Sequence, residues 1–216
     1  MIETAIPVAP VKPVNLFTVA TMVLWLAVIT GGTLGMIRYA ETPGPVGTPP
    51  GQWPAASSLR PDAQNPTLVM FVHPKCPCSR ATMEELARLM ARCQGRLTAE
   101  VLFLQPAGAP TNWSRTDLWR AAAAIPGVRV LADKAGQEAG CFHAGTSGET
   151  ALYDRDGKLM FHGGITIGRG HAGDNPGVDD IEEALDHAPV RPLVTPVYGC
   201  ELTGTEVGKE GLACKR

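Results

Sequence analysis

Between Leu16 and Ile37 the chain reads LFTVATMVLWLAVITGGTLGMI, without one charged side chain. Wound as a helix at about 1.5 Å per residue, this run reaches about 33 Å, enough for a hydrocarbon core of about 30 Å. The apolar region of a cleaved signal peptide is shorter, about 7–15 residues, and ends at a small-x-small site. The sequence IRYAET supplies such a site poorly. Residues 16–38 are therefore expected to form an uncleaved membrane anchor behind a short N-terminal segment, residues 1–15. Lys12 and Arg38 flank the run on opposite sides, so charge leaves its orientation open. Gly31 and Gly35 have GxxxG spacing, which in a membrane helix more often reflects general use of small residues than a specific contact.

Residues 39–65 change character abruptly. Proline and glycine dominate, a composition that disfavours packing and predicts a semi-extended tether holding the next domain off the bilayer. The rest of the 216-residue chain suffices for one domain of ordinary size. A formal net charge of −2 gives no electrostatic footprint for nucleic acid.

Residues 66–188 alternate short apolar runs with amphipathic ones. TLVMFV reads as a buried strand. In CSRATMEELARLMARC, Met83, Leu86, Leu89, Met90 and Cys93 recur at spacings of three and four, one face of a helix that Gly95 stops. LTAEVLFL is a second strand, SRTDLWRAAAAI a helix with Ser114 as its expected N-cap, and GVRVLAD a third strand. A short helix is expected through KAGQEAGCF. ETALYDRDGKLMFHGG reads as a hairpin turning at Asp154, Asp156 and Gly157, and GVDDIEEALDHA as a closing helix. The order predicts an α/β sheet with crossover units followed by an antiparallel hairpin. Residues 189–216 form a proline-containing tail with Cys200 and Cys214.

Chemistry concentrates in FVHPKCPCSR. Cys76 and Cys78 stand where a strand ends and a helix begins, and helix N-termini present unpaired N–H groups and partial positive charge. Such a site lowers a cysteine's pKa, and the thiolate is the species that attacks disulfides. Lys75 adds a positive charge. Two thiolates with His73 nearby also compose a set for a soft ion such as Cu(I). A structural zinc site is disfavoured, because CxC lacks a second ligand pair at finger spacing. Cys93 and Cys141 read as core thiols. Cys200 and Cys214 could bridge each other, or Cys200 in VYGCEL could reach the active edge as a resolving thiol; spacing alone does not choose.

The strand-to-helix cysteine, the order of elements and LYDRDGKL resemble the thioredoxin fold, particularly the membrane-tethered thioredoxin-like proteins of the bacterial envelope. HPKCPCSRATMEELARL, TSGETALYDRDGKLMFHGGITIGRGHAGDNPG and TPVYGCELTG together resemble the RedB-type thioredoxin-like proteins over roughly residues 66–203. The resemblance implies thiol–disulfide exchange with envelope proteins by a single-pass inner-membrane protein whose soluble domain faces the periplasm. It places Cys76 at the nucleophilic position and Ser79 at that of the second, resolving cysteine of CxxC, with Cys78 an extra thiol between them; in an oxidoreductase Cys78 is then expected to resolve the mixed disulfide. A Cys76–Cys78 disulfide would close a tight, easily reduced ring. Gly148 falls at the place of the cis-proline of thioredoxins, which implies that Thr146, Ser147 and Gly148 carry the substrate-docking backbone. In this fold the glycine-rich loop 163–177 borders the cysteine edge, and His171 becomes a candidate to tune the thiolate or carry protons.

Three functions follow as expectations. One is an oxidoreductase using Cys76, Cys78, Lys75 and His171 without a cofactor. Another is a copper chaperone using Cys76, Cys78 and His73. The last is a non-catalytic subunit of a membrane complex.

Overall fold

The structure, a computed structural model, describes residues 15–202. It divides into two units, one ending at Tyr39 and the other beginning at Ala40. The apolar run forms one helix, α1, Leu16–Glu41. It is long and apolar enough to cross a membrane.

The second unit is built on a six-stranded sheet. Its elements, in chain order, are β1 (Thr67–Val72), α2 (Ser79–Arg92), β2 (Thr98–Gln105), α3 (Asp117–Ala123), β3 (Val128–Lys134), α4 (Gln137–Cys141), β4 (Glu149–Tyr153), β5 (Leu159–Gly163), α5 (Pro176–Asp186) and β6 (Leu193–Val194). The strands lie in the order β3-β2-β1-β4-β5-β6. β1, β2 and β3 are parallel, β4 runs antiparallel to β1, and β5 antiparallel to β4. A β-α-β unit followed by a β-β-α unit on one mixed sheet is the thioredoxin-like arrangement. The pair α3–β3 widens it at one edge, and β6 adds a short parallel strand at the other.

All six residues of β1 are buried, as a central strand covered on both faces requires. Alternation along it feeds two cores. Leu68, Met70 and Val72 pack with Met83, Leu86, Leu89 and Met90 of α2, Leu118 and Ala122 of α3, and Val178 and Ile181 of α5. Val69 and Phe71 on the other face meet Ala139, Cys141 and Phe142 around α4. Cys93 lies in the first core, as its place on the helix stripe requires. The residue flanking the start of α3 is Thr116, without a side-chain cap hydrogen bond, rather than the expected Ser114, which is buried two residues earlier. At α5 the Asn175 side chain accepts the Val178 N–H at 3.0 Å, so the sequence GDNPG serves as a helix start.

The proline-rich segment is not a free tether. Prolines hold it extended, and its carbonyl groups remain open to donors from the domain. Pro45 O accepts from Thr146 Oγ1 at 2.7 Å, and Pro50 O accepts from Tyr153 Oη at 2.9 Å. Gly51 O accepts the Leu159 N–H, and the Trp53 N–H donates to Gly157 O. Two buried carboxylates complete the attachment. Glu149 accepts the Gly47 N–H at 2.6 Å, and Glu138 accepts from the Ser57 and Ser58 hydroxyls. The Trp53 ring stands edge-on to Phe142 and Tyr153, 5.2 Å from each. Composition misses this because one tryptophan and two well-placed acids outweigh the segment's low average hydrophobicity.

Trp53→Ala is expected to cost about 2–3 kcal/mol, below the range for a fully buried tryptophan because this ring is half-buried. Chemical denaturation of the full-length protein in detergent measures it; no change would restore the free tether.

Candidate functional site

The turn between β1 and α2 carries the two cysteines. Cys76 N–H donates to His73 O at 3.0 Å and Ser79 N–H to Cys76 O at 3.3 Å, so the chain coils once before α2 begins. Cys78 is the residue flanking the helix start. Ser79, at the position of the second cysteine in a CxxC, is buried, and its hydroxyl lies 2.8 Å from that of Ser147. The Ser147 hydroxyl in turn accepts the His73 N–H at 2.8 Å, which ties the cysteine turn to the entry of β4.

A third cysteine completes the site. After β6 the chain continues along the sheet edge, with Thr195 Oγ1 donating to Gly164 O at 2.8 Å and Val197 O accepting the Gly44 N–H. It then crosses the cysteine end of the sheet. Ser147 N–H donates to Cys200 O at 2.7 Å, Leu202 N–H donates to Gly145 O at 2.9 Å, and Thr146 bridges antiparallel to Glu201. Gly199 is required at this crossing, because a Cβ there would stand 1.9 Å from Ser147 O. The pairing aims Cys200 at the cysteine turn, and its sulfur lies 3.0 Å from that of Cys76. The sulfurs of Cys76, Cys78 and Cys200 all lie within 4.8 Å of one another.

The thiols are largely withdrawn from solvent. Cys76 is 1% exposed and Cys78 8%, because the 199–202 segment covers them; Cys200 is half-buried. The three are thiols, so neither the Cys76–Cys78 nor the Cys200–Cys214 bridge is formed in this structure. Cys214 lies outside the described residues. Cys141, expected as a core thiol, is instead disulfide-bonded.

The three sulfurs ionise unequally. Burial opposes charge on Cys76, yet hydrogen bonds from the Cys200 thiol and from the Ser79 hydroxyl and N–H outweigh it and bring Cys76 below the ordinary thiol value. Burial raises Cys78, and the charge of Cys76 raises it further. Cys200 is pushed up to about 12, first by burial and then because its proton is held by Cys76. Of the three sulfurs, Cys76 is thus the one on which negative charge is most favoured.

The other expected site residues divide. Thr146, Ser147 and Gly148 stand at the cysteine edge but are fully buried or nearly so, and the backbone of Thr146 and Ser147 pairs with the chain's own residues 200 and 201. Gly148 has φ +93° and donates its N–H to Phe71 O, a left-handed conformation that suits glycine. No peptide bond among the described residues is cis. Lys75 is exposed, and its ammonium lies over the Trp113 ring, 4.8 Å from the centroid. His73 stands edge-on to the same ring, its Nδ1 accepting the Lys75 N–H at 3.2 Å, and it is not a member of the sulfur cluster. His171 is exposed and its Nδ1 bonds Arg169 O within its own turn. The loop residue that acts on the thiols is Arg169. Its Nη1 donates to Gly199 O and its Nε to Thr42 O, and its charge favours ionised Cys78 and Cys200. The loop itself is anchored to α2 by Glu85, whose carboxylate accepts the Gly173 N–H at 2.7 Å.

No protein-family model matches the chain, and no curated protein does. Solved structures do. A hypothetical protein from Sinorhizobium meliloti 1021 aligns with TM-score 0.54 and 21% identity, over 77% of this chain and 98% of that one. An uncharacterized conserved protein from Geobacillus kaustophilus aligns with TM-score 0.54 and 20% identity, over 77% of this chain and 94% of its own. At this identity the likeness establishes the shared fold and nothing about activity. The pneumococcal exposed lipoprotein thioredoxin from Streptococcus pneumoniae is more remote, with TM-score 0.43 and 14% identity over 57% of this chain and 85% of that one.

Replacing Cys200 by alanine removes a donor from the Cys76 thiolate, so the pH midpoint of Cys76 alkylation is expected to move upward. Rate–pH profiles of alkylation at Cys76, read by peptide mass spectrometry, measure the shift. An unmoved midpoint would show that Cys200 does not hold the anion.

Proposed function

We propose that the protein is a membrane-anchored thiol–disulfide oxidoreductase of the RedB-like kind. In this reading α1 spans the bacterial inner membrane and residues 40–202 work in the periplasm on disulfides or thiols of envelope proteins. The observation that supports it is the 3.0 Å approach of the Cys76 and Cys200 sulfurs, with Cys76 brought below and Cys200 above the ordinary thiol value.

The chemistry balances with the groups at hand. The Cys76 thiolate attacks one sulfur of a substrate disulfide, forming a mixed disulfide and expelling the other substrate sulfur as a thiolate, which takes up a proton. The Cys200 sulfur, after losing its proton to solvent or to the leaving thiolate, attacks the Cys76 sulfur and breaks its bond to the substrate, whose second sulfur leaves as a thiolate and takes up a proton from solvent. The products are a Cys76–Cys200 disulfide and a fully reduced substrate, two electrons having passed from protein to substrate. The reverse sequence oxidises a dithiol. Cys200 thereby takes the resolving role that CxC spacing assigns to Cys78. Because Cys76 is covered, a substrate has to displace residues 199–202, and the backbone N–H of Ser147 is then free to receive it. Ser79 and Arg169 hold charge at the site throughout, whereas His171 has no step to perform.

Equilibration of the full-length protein with glutathione buffers, followed by alkylation and mass analysis, tests this. Wild type and Cys78→Ser are expected to exchange two electrons per chain, and Cys76→Ser and Cys200→Ser none. Retention in Cys200→Ser with loss in Cys78→Ser would return the resolving role to Cys78. Wild type that never takes up or releases electrons would refute the oxidoreductase.

A further inference from the structure

We propose that Cys76, Cys78 and Cys200 also form a three-thiolate site for a soft monovalent ion, Cu(I). Soft sulfur ligands select such ions, and the geometry already supplies the ligand set. The three sulfurs lie within 4.8 Å of one another and come from two chain segments, so no loop closure is needed to gather them. For an ion at the centre of a sulfur triangle with metal–sulfur bonds of about 2.3 Å, the sulfurs stand about 4 Å apart. The Cys76–Cys200 pair, at 3.0 Å, has to open by roughly 1 Å to reach that spacing.

Ligand number separates Cu(I) from zinc. Structural zinc takes four ligands and catalytic zinc three plus water. Among the described residues no histidine or carboxylate joins the three sulfurs. His73 is held away by Trp113 and by the Lys75 N–H on its Nδ1. The cover of residues 199–202 leaves Cys76 and Cys78 nearly dry, so a coordinating water is disfavoured. Binding displaces the thiol protons to solvent, as metal binding to cysteine does generally. The negative charge that results is met by Ser79, whose hydroxyl and N–H reach Cys76, and by the Arg169 guanidinium facing Cys78 and Cys200. The site uses the same sulfurs as thiol exchange, but no electron moves: a bound ion holds the cysteines reduced.

The test loads the reduced full-length protein in detergent, without oxygen, with Cu(I) in competition against a chromogenic Cu(I) chelator. One ion per chain is expected, with three sulfur scatterers at about 2.3 Å by X-ray absorption. Cys200→Ser is expected to weaken binding by at least about 100-fold, the upper range for loss of even an outer-shell partner. His73→Gln should leave affinity unchanged. Failure to retain Cu(I), two sulfurs with a nitrogen in the absorption spectrum, or full affinity in Cys200→Ser each overturns the site. The wild-type spectrum alone decides if a variant does not fold. Glutathione equilibration of the metal-free protein reads the oxidoreductase separately.

Discussion

Burial opposes charge on the Cys76 sulfur, and this structure depends on the two donors that offset it. Without them burial alone would leave the thiol protonated and inert. Ser79 supplies one set from the first residue of α2. Cys200 supplies the other from a segment more than a hundred residues away, delivered by backbone pairing with residues 145–147. The pairing fixes where Cys200 points, and its contact with Cys76 favours charge on Cys76 over the other two sulfurs.

The remainder of the unit is organised around that delivery. β6 beside β5 starts the tail along the sheet edge, and the close passage of Gly199 over Ser147 lets it cross to the cysteine turn. Arg169 clasps the same segment through Gly199 O, and Glu85 fixes Arg169's loop to α2. Glu149 joins the N-terminal side of the arrangement, because its carboxylate accepts N–H groups from Gly47, Gly145 and Thr146. The 40–59 segment is therefore part of the domain. The edge at which a thioredoxin-like protein would receive an extended substrate is already filled by the chain itself.

Local pattern carried most of the fold. The apolar stripe of α2, the buried β1 and the Asp154–Gly157 turn are each set by neighbours within a few residues, and all were readable as strings. The cysteine turn was readable for the same reason. Partners distant in sequence were not. CxC spacing pointed to Cys78 as the partner of Cys76, whereas strand pairing brought Cys200 closer. His171 drew notice as a titratable residue in a glycine loop, yet the side chain that reaches the segment is its neighbour Arg169. Only the VYGCEL motif hinted at the third thiol, since a glycine just before a cysteine permits close backbone approach. Lys75 stood beside the cysteines in sequence, but the Trp113 ring holds its ammonium.

Mild oxidation of the full-length wild-type protein, followed by mass-spectrometric mapping of its disulfides, reaches the central claim most directly. The account predicts a bond between Cys76 and Cys200 with Cys78 left as a thiol. A bond between Cys76 and Cys78, with Cys200 still alkylatable, would contradict it.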